Sequence, residues 1–172
     1  MSTEKRVIFV CSGNICRSPM AEALLASRSS AQELSLAPGS SGTLGIENHA
    51  ADPDSIRALE ETGLDLKNHR SRAITDELLV NAFAIIVMAP EHEEYLLSRH
   101  PDSAGAIVRL WEFCAEGQSA GEIEDPLGRG LDEFRRIRDV IADGLDQWLA
   151  TLEDRWVRHT DASSPTDERV SF

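Results

Sequence analysis

The feature that most constrains the fold is a short apolar run that stops on a cysteine. Residues 5 to 10, KRVIFV, carry Val7, Ile8, Phe9 and Val10 without the polar alternation of a half-exposed strand. β-branched residues that are apolar on both sides of the pleat suit a strand covered on both faces, the pattern of a parallel sheet. The run breaks at once into CSGNICRSP, Cys11 to Pro19. Ser18, Pro19 and Glu22 then read as a helix start, which Met20, Ala23, Leu24 and Ala26 to Ala31 continue. The order is strand, loop, helix.

That order recurs along the chain. Residues 33 to 38 (ELSLAP) alternate polar and apolar as a second strand, and PGSSGTLG reads as a turn-rich loop after it. Asp52 and Pro53 have the chemistry of an N-cap and first helical residue, with Ile56, Ala58 and Leu59 facing inward until Gly63 ends the helix. Thr75 opens a short helix through Leu79. AFAIIVMA, Ala82 to Ala89, is the strongest strand, Pro90 starts a helix carrying Tyr95, Leu96 and Leu97, and AIVRL, Ala106 to Leu110, is a fourth strand. After a loop containing GEIEDPLGRG, Leu131, Phe134, Ile137, Ile141, Leu145, Trp148, Leu149 and Leu152 recur at spacings of three and four, the longest helical pattern. Arg158 and the HTDASSPTDERVSF that follows have no period and little to bury. The expectation is one domain over residues 1–157 and a flexible tail over 158–172. Alternating strands and helices imply a three-layer α/β parallel sheet, whose ligand sites lie at the carboxyl ends of its strands. Cys11 stands at such an end.

Composition narrows the function. A chain of 172 residues, 41% apolar, fills one core. Lys and Arg number 17 against 30 Asp and Glu, a formal charge of −13, which disfavours tight binding to nucleic acid or an anionic membrane. There is no 18-residue apolar stretch and no basic segment followed by an apolar core at the N-terminus, so a cytoplasmic location is expected. Three cysteines, Cys11, Cys16 and Cys114, do not suit a disulfide framework but suit a reduced compartment with a reactive thiol.

The loop has a chemistry of its own. Between a strand and a helix, successive backbone N–H groups can converge on an anion while the helix adds its positive end. Gly13 and Asn14 are residue types that enter positive φ readily, and Arg17 supplies a charged fork for two phosphate oxygens. No GxxxxGK[ST] is present, so a nucleotide-triphosphate loop is not supported. A cysteine among converging dipoles and an arginine is stabilised as thiolate, so the pKa of Cys11 is expected below the free value of roughly 8.5, and Ser18 can donate to the same sulfur. Phosphate binding then coincides with a sulfur nucleophile. The spacing C-x5-R alone would equally fit a buried strand-end cysteine and a surface arginine; the whole string demands more.

The string VCSGNICRSPMAEA, Val10 to Ala23, resembles the signature of the low-molecular-weight protein tyrosine phosphatase family, in its bacterial type. The resemblance continues through SSGT (Ser40 to Thr43), ADP (Ala51 to Pro53), HRSR (His69 to Arg72), the strand ending in Met88, and Asp125-Pro126, covering roughly residues 5 to 155. It implies a four-stranded parallel sheet in the order 2-1-3-4, flanked by helices, the phosphotyrosine phosphatase I-like fold. It also implies metal-free and cofactor-free hydrolysis of phosphate monoesters through a cysteinyl-phosphate. By resemblance Cys11 is the nucleophile and Arg17 stabilises the transition state. Ser12, Gly13, Asn14, Ile15, Cys16 and Arg17 cradle the phosphate, Ser18, Ser40 and His69 brace the loop, and Asp125 is the general acid. Read alone, Asp125 is also a turn residue before proline, with Glu122 and Glu124 as rivals; the resemblance selects Asp125. Cys16 matches a second loop cysteine that forms a reversible disulfide with the nucleophile. Cys114 is assigned to packing, and His49, His92, His100 and His159 to solvent. The implied partners are a phosphorylated protein or peptide and, as product, inorganic phosphate, with no nucleic acid or membrane and with a monomeric enzyme.

Three departures bear on the substrate. Leu127 and Gly128 follow Asp125-Pro126 where tyrosine-specific relatives place aromatics, and Leu44 and Ile46 stand where a tryptophan can occur. DPLG, ADP and RAITDELL are closer to bacterial members, among them a branch that dephosphorylates arginine, although that branch tends to carry Thr where this chain has Ile15. Phosphotyrosine is the first expectation and phosphoarginine the alternative. Arsenate reduction shares the fold but needs two further cysteines after the third strand, where MAPEHEEYLL has none. A phosphate-dependent binding module without catalysis is the remaining class.

Overall fold

In the computed structural model, which describes residues 4–161 and side chains as far as residue 153, the sheet is built outward from its first strand. Strand β1, Lys5–Cys11, pairs in parallel with β2, Leu36–Gly42, on one side and with β3, Ala84–Val87, on the other. Strand β4, Ile107–Arg109, completes the order β2-β1-β3-β4. Val7 to Val10 and all of β3 are buried, as strands covered on both faces must be. The covering helices are α1, Arg17–Ala31, α2, Pro53–Glu60, α3, Asp76–Leu79, α4, Pro90–Arg99, α5, Ala115–Ala120, and α6, Leu131–Asp161. Helix α1 packs against β1, β2 and α6, α2 also meets α6, and α4 lies on β3. Met20, Leu25, Phe134, Ile137, Ile141 and Leu145 join Phe9 and Ile85 in one core, each large buried side chain contributing about 1.5–3 kcal/mol. The Asp52 carboxylate accepts the Asp54 N–H with Pro53 at the first helical position, and the Thr75 hydroxyl accepts the Leu78 N–H, so α2 and α3 start where their capping residues predict.

The order of strands places the site. From β1 the chain moves to β2 on one side and later to β3 on the other, so the crevice beyond the carboxyl end of β1 is the switch point at which open α/β sheets bind ligands. The loop from Ser12 to Cys16 fills it.

Several boundaries differ from the sequence expectation. Strand β2 extends through GSSG, which the expectation made loop, because seven residues run in register with β1 and the ladder overrides the turn propensity of serine and glycine. The small residues are needed there: a Cβ on Gly42 would stand 2.7 Å from the Ser12 carbonyl oxygen and 3.0 Å from the Asn14 nitrogen. Helix α1 begins at Arg17 with Cys16 at the N-cap and no side-chain cap, so Ser18 is inside the helix rather than at its entrance. Strands β3 and β4 are shorter than their apolar runs, and Leu110 already belongs to a 3₁₀ turn, Leu110–Phe113. That turn, a second over Pro101–Ala106, and α5 carry no apolar period that would announce them. Helix α6 continues to Asp161, past Arg158, and residues 162–172 of the expected tail lie outside the described residues. Among the described residues no helix is long and apolar enough to cross a membrane.

Candidate active site

The loop after β1 is organised around one buried asparagine. Asn14 has φ 57°, in the left-handed region that asparagine tolerates better than most residues, whereas Gly13 does not use the freedom expected of it. The Asn14 Oδ1 accepts the Arg72 N–H at 3.0 Å, which fixes its Nδ2 as donor to Ser18 Oγ at 2.8 Å and to Ser40 Oγ at 2.9 Å. Its carbonyl, having no proton, accepts from His69 Nε2 at 2.7 Å. These donors fix the hydroxyls in turn. Ser18, accepting from Asn14, lies with its Oγ 2.9 Å from Cys11 Sγ, placed to donate to the sulfur when that is a thiolate, and Ser40 directs its hydrogen to the Glu22 carboxylate. The far end of β2 holds the loop from behind, Thr43 N–H to Cys11 C=O and Leu44 N–H to Ser12 C=O, both at 3.0 Å. The Arg72 Nε closes the frame on the Ser40 carbonyl at 2.8 Å.

Arg17, the first residue of α1, is 2% exposed. Its Nη1 donates to the Ile123 carbonyl at 2.9 Å and its Nη2 lies 3.4 Å from Asp125 Oδ2, while its buried Nε has no partner among the described residues. A buried guanidinium with an unmatched donor at the end of a loop is short of an acceptor, and a tetrahedral oxyanion supplies one. Ile123 holds both sides, since its N–H donates to Met88 C=O at 2.7 Å and so pins the segment carrying Asp125 to the end of β3. Asp125 itself is exposed, and its Oδ1 accepts the Leu127 N–H at 3.1 Å in the turn expected before Pro126. Of its rivals, Glu124 is engaged by Arg136.

The other thiols differ from Cys11. Cys16 is buried, and burial first, then the carboxylates of Asp52 and Asp125, push its thiol far up, so it is a protonated SH. Burial also raises the thiol of Cys114, which lies inside the core within 4.0 Å of the Leu110 and Trp111 carbonyls. All three cysteines are free. Among the described residues no group of His, Cys, Asp and Glu is assembled to hold a metal.

Two histidines assigned to solvent are not there. His100 pairs with Asp76 at 2.5 Å through Nδ1 and its side chain is mostly covered. His92 is fully buried at the third position of α4, its Nδ1 accepting the Ala89 N–H at 3.1 Å and its Nε2 3.0 Å from Ser12 Oγ. A histidine three residues past a helix start, where its ring can reach back to the cap, is the signal that distinguishes His92 from a solvated side chain. His49 is exposed, and the His159 side chain lies outside the described ones. Sequence reasoning also missed Arg72 and Glu22, although it had marked HRSR and MAEA as blocks. The mouth is aliphatic: Leu44 and Leu127 are 67% and 53% exposed, and a Cβ on Gly13 would meet Ile15 and Ile46.

A strand-end cysteine beside a serine hydroxyl, an arginine short of an acceptor and a carboxylate across the crevice bring together the groups that an enzyme acting on a phosphate ester needs. Comparison agrees: the family model described as low molecular weight phosphotyrosine protein phosphatase matches residues 6–158. "Probable low molecular weight protein-tyrosine-phosphatase EpsP" of Ralstonia nicotianae is 34% identical over 148 residues, 86% of this chain and 96% of its own length. The protein-arginine-phosphatase of Bacillus subtilis is 34% identical over 147 residues, again 86% and 96% of the two chains. The crystal structure of a YwlE mutant from Bacillus subtilis superposes with a TM-score of 0.80 at 32% identity, covering 87% of this chain and 99% of that one. The chain belongs to the low molecular weight phosphotyrosine protein phosphatase family, a family of hydrolases.

Proposed function

We propose that the protein hydrolyses phosphotyrosine in proteins or peptides in two steps at Cys11. Phosphate sits in the cradle of Ser12, Gly13, Asn14, Ile15, Cys16 and Arg17, with the Arg17 guanidinium turned from Asp125 to the phosphoryl oxygens. The Cys11 sulfur attacks phosphorus, the P–O bond to the leaving phenolate breaks, and Asp125, as general acid, gives a proton to that oxygen. The carboxylate then takes a proton from water, which attacks phosphorus, breaks the P–S bond and releases inorganic phosphate. Backbone N–H groups and Arg17 stabilise the charge spread over the equatorial oxygens. Asn14, braced by Ser18, Ser40 and His69, holds the loop in its left-handed conformation without substrate, so no reorganisation is needed at the moment of reaction.

The observation that carries this reading is the Ser18 hydroxyl held 2.9 Å from Cys11 Sγ by the Asn14 amide, where it can donate to a thiolate. A neutral packing cysteine would not need a donor fixed in this way. The apolar Ile15 in the loop favours an aryl ester over a charged guanidinium as the leaving group, although Ile46 and Leu127 give a phenyl ring no aromatic wall to stack on. Phosphoarginine is the second reading, favoured by the 34% identity to the Bacillus subtilis protein-arginine-phosphatase. Reduction of arsenate fits poorly, since Cys114 is enclosed in the core. For Cys16 the role is protection: once peroxide converts Cys11 to a sulfenic acid, attack by the neighbouring thiol yields a disulfide and water, which a dithiol reverses. Competition between phosphotyrosyl and phosphoarginyl peptides of one sequence in a single assay tests the substrate. Faster loss of phosphate from tyrosine is expected, and preference for arginine would overturn the first reading in favour of the second.

A further inference from the structure

The pair His92–Ser12 is not absorbed by the bracing network around Asn14. His92 is buried without a charged partner, which is unusual for histidine, and both its nitrogens are committed. Nδ1 must be an unprotonated acceptor because the group facing it, the Ala89 N–H at 3.1 Å, can only donate. In the neutral ring the hydrogen therefore resides on Nε2, which donates to Ser12 Oγ at 3.0 Å. Burial first and the nearby charge of Arg17 second press the ring toward this neutral form, with its pKa pushed down to about 3.

The direction of this bond decides what Ser12 does. A hydroxyl has one proton, and here its oxygen is occupied as an acceptor from histidine. Among the described residues Ser12 Oγ has no second partner, so its proton points away from His92 with nothing in the protein to receive it. Ser12 is the first residue of the cradle, next to the nucleophile, and the ring that orients it lies within electrostatic reach of Arg17.

We propose that the Ser12 hydroxyl is a side-chain donor to a phosphoryl oxygen of the substrate, added to the backbone donors of the cradle, and that His92 is the positioning residue that aims it. The inference rests on the proposed reading of the loop as a phosphate cradle. It assigns His92 a part in binding anions that acts only through Ser12, and it makes affinity for the phosphoryl group, rather than for the leaving group, the quantity the pair controls.

The test is calorimetric titration of the full chain with inorganic phosphate, in the wild type and in Ser12→Ala, His92→Gln and His92→Asn. Glutamine places an N–H where Nε2 stands and can still donate to Ser12. Asparagine places an oxygen where Nδ1 stands and can satisfy Ala89, but does not reach Ser12. Loss of one hydrogen bond to an anion weakens binding roughly tenfold. The expected result is a loss of about that size in Ser12→Ala and in His92→Asn, with His92→Gln within about threefold of the wild type. Unchanged affinity in Ser12→Ala, or equal affinity in the two His92 variants, would overturn the proposal. Ser12 is half-buried and its truncation leaves the core intact, so Ser12→Ala decides the matter even if a His92 variant does not fold. A wild type that binds no phosphate would instead remove the cradle, and the proposed function with it.

Discussion

At the scale of single residues, activity depends on which atom carries which proton. The Ser18 hydroxyl, held 2.9 Å from Cys11 Sγ by Asn14, can donate to a thiolate there, so Ser18→Ala is expected to lower kcat while the fold persists, and single-turnover kinetics would read that loss. Asp125 is exposed and paired with Arg17 at 3.4 Å, near enough to serve as acid without being fixed in the core. Asp125→Asn should slow esters of poorly departing phenols by about 10²–10⁴, the usual worth of general acid catalysis, and slow esters of acidic phenols far less. Equal slowing of both in steady-state assays would remove Asp125 from the acid's role. Cys16, held as a protonated thiol by burial, is itself a slow target for peroxide, so oxidation should begin at Cys11. Peroxide-inactivated wild type should regain activity with dithiothreitol, Cys16→Ser should regain much less, and identical recovery would rule out a protective disulfide.

At the scale of elements, the loop is as rigid as β2 allows it to be. Gly42 lies against the loop backbone so closely that a methyl group has no room, and the atoms it would strike are main chain. Gly42→Ala is expected to cost on the order of 1–3 kcal/mol of stability and to reduce turnover beyond that, because the displaced atoms belong to Ser12, Gly13 and Asn14. Urea denaturation beside kcat/KM would separate the two effects. The same contact explains what was illegible. β1, β3 and the period of α6 could be read from residue types because burial decides them. The end of β2 could not, since serine and glycine there are selected by the approach of another segment rather than by strand propensity. Cys11 and Arg17 stood out because a cysteine at a strand end with an arginine at the following helix start is a rare pairing, whereas Asp125 was separated from Glu122 and Glu124 only by the family resemblance. Arg72 and His92 did not stand out, because each meets the loop from a residue 58 or 80 positions away along the chain, a contact that no run of neighbouring residues records. The 3₁₀ turns and α5 went unseen for want of any apolar period.

At the scale of the whole molecule, the buried His92 couples the site to stability. In an unfolded chain this side chain would take up a proton near pH 6.5, whereas in the fold its pKa is pushed down to about 3. The unfolded state thus binds more protons between these values, so the contribution is complete above about pH 6.5 and is lost progressively on acidification toward about pH 3. The urea midpoint should fall between about pH 7 and about pH 5, and His92→Gln should flatten that fall; an unaltered slope would mean that the ring is not held neutral. The formal charge of −13 surrounds a site built for an anion, so substrate must be drawn in by local donors rather than by the overall field. The most direct test of the central claim, transfer of the phosphoryl group to one sulfur, is rapid denaturing quench during turnover of a phosphotyrosyl peptide, followed by mass spectrometry of the proteolysed enzyme. The prediction is one phosphoryl group on the peptide containing Cys11 and none in an inactive Cys11→Ala variant. Turnover that persists in Cys11→Ala, or a phosphoryl group carried by any other side chain of the wild type, would contradict it.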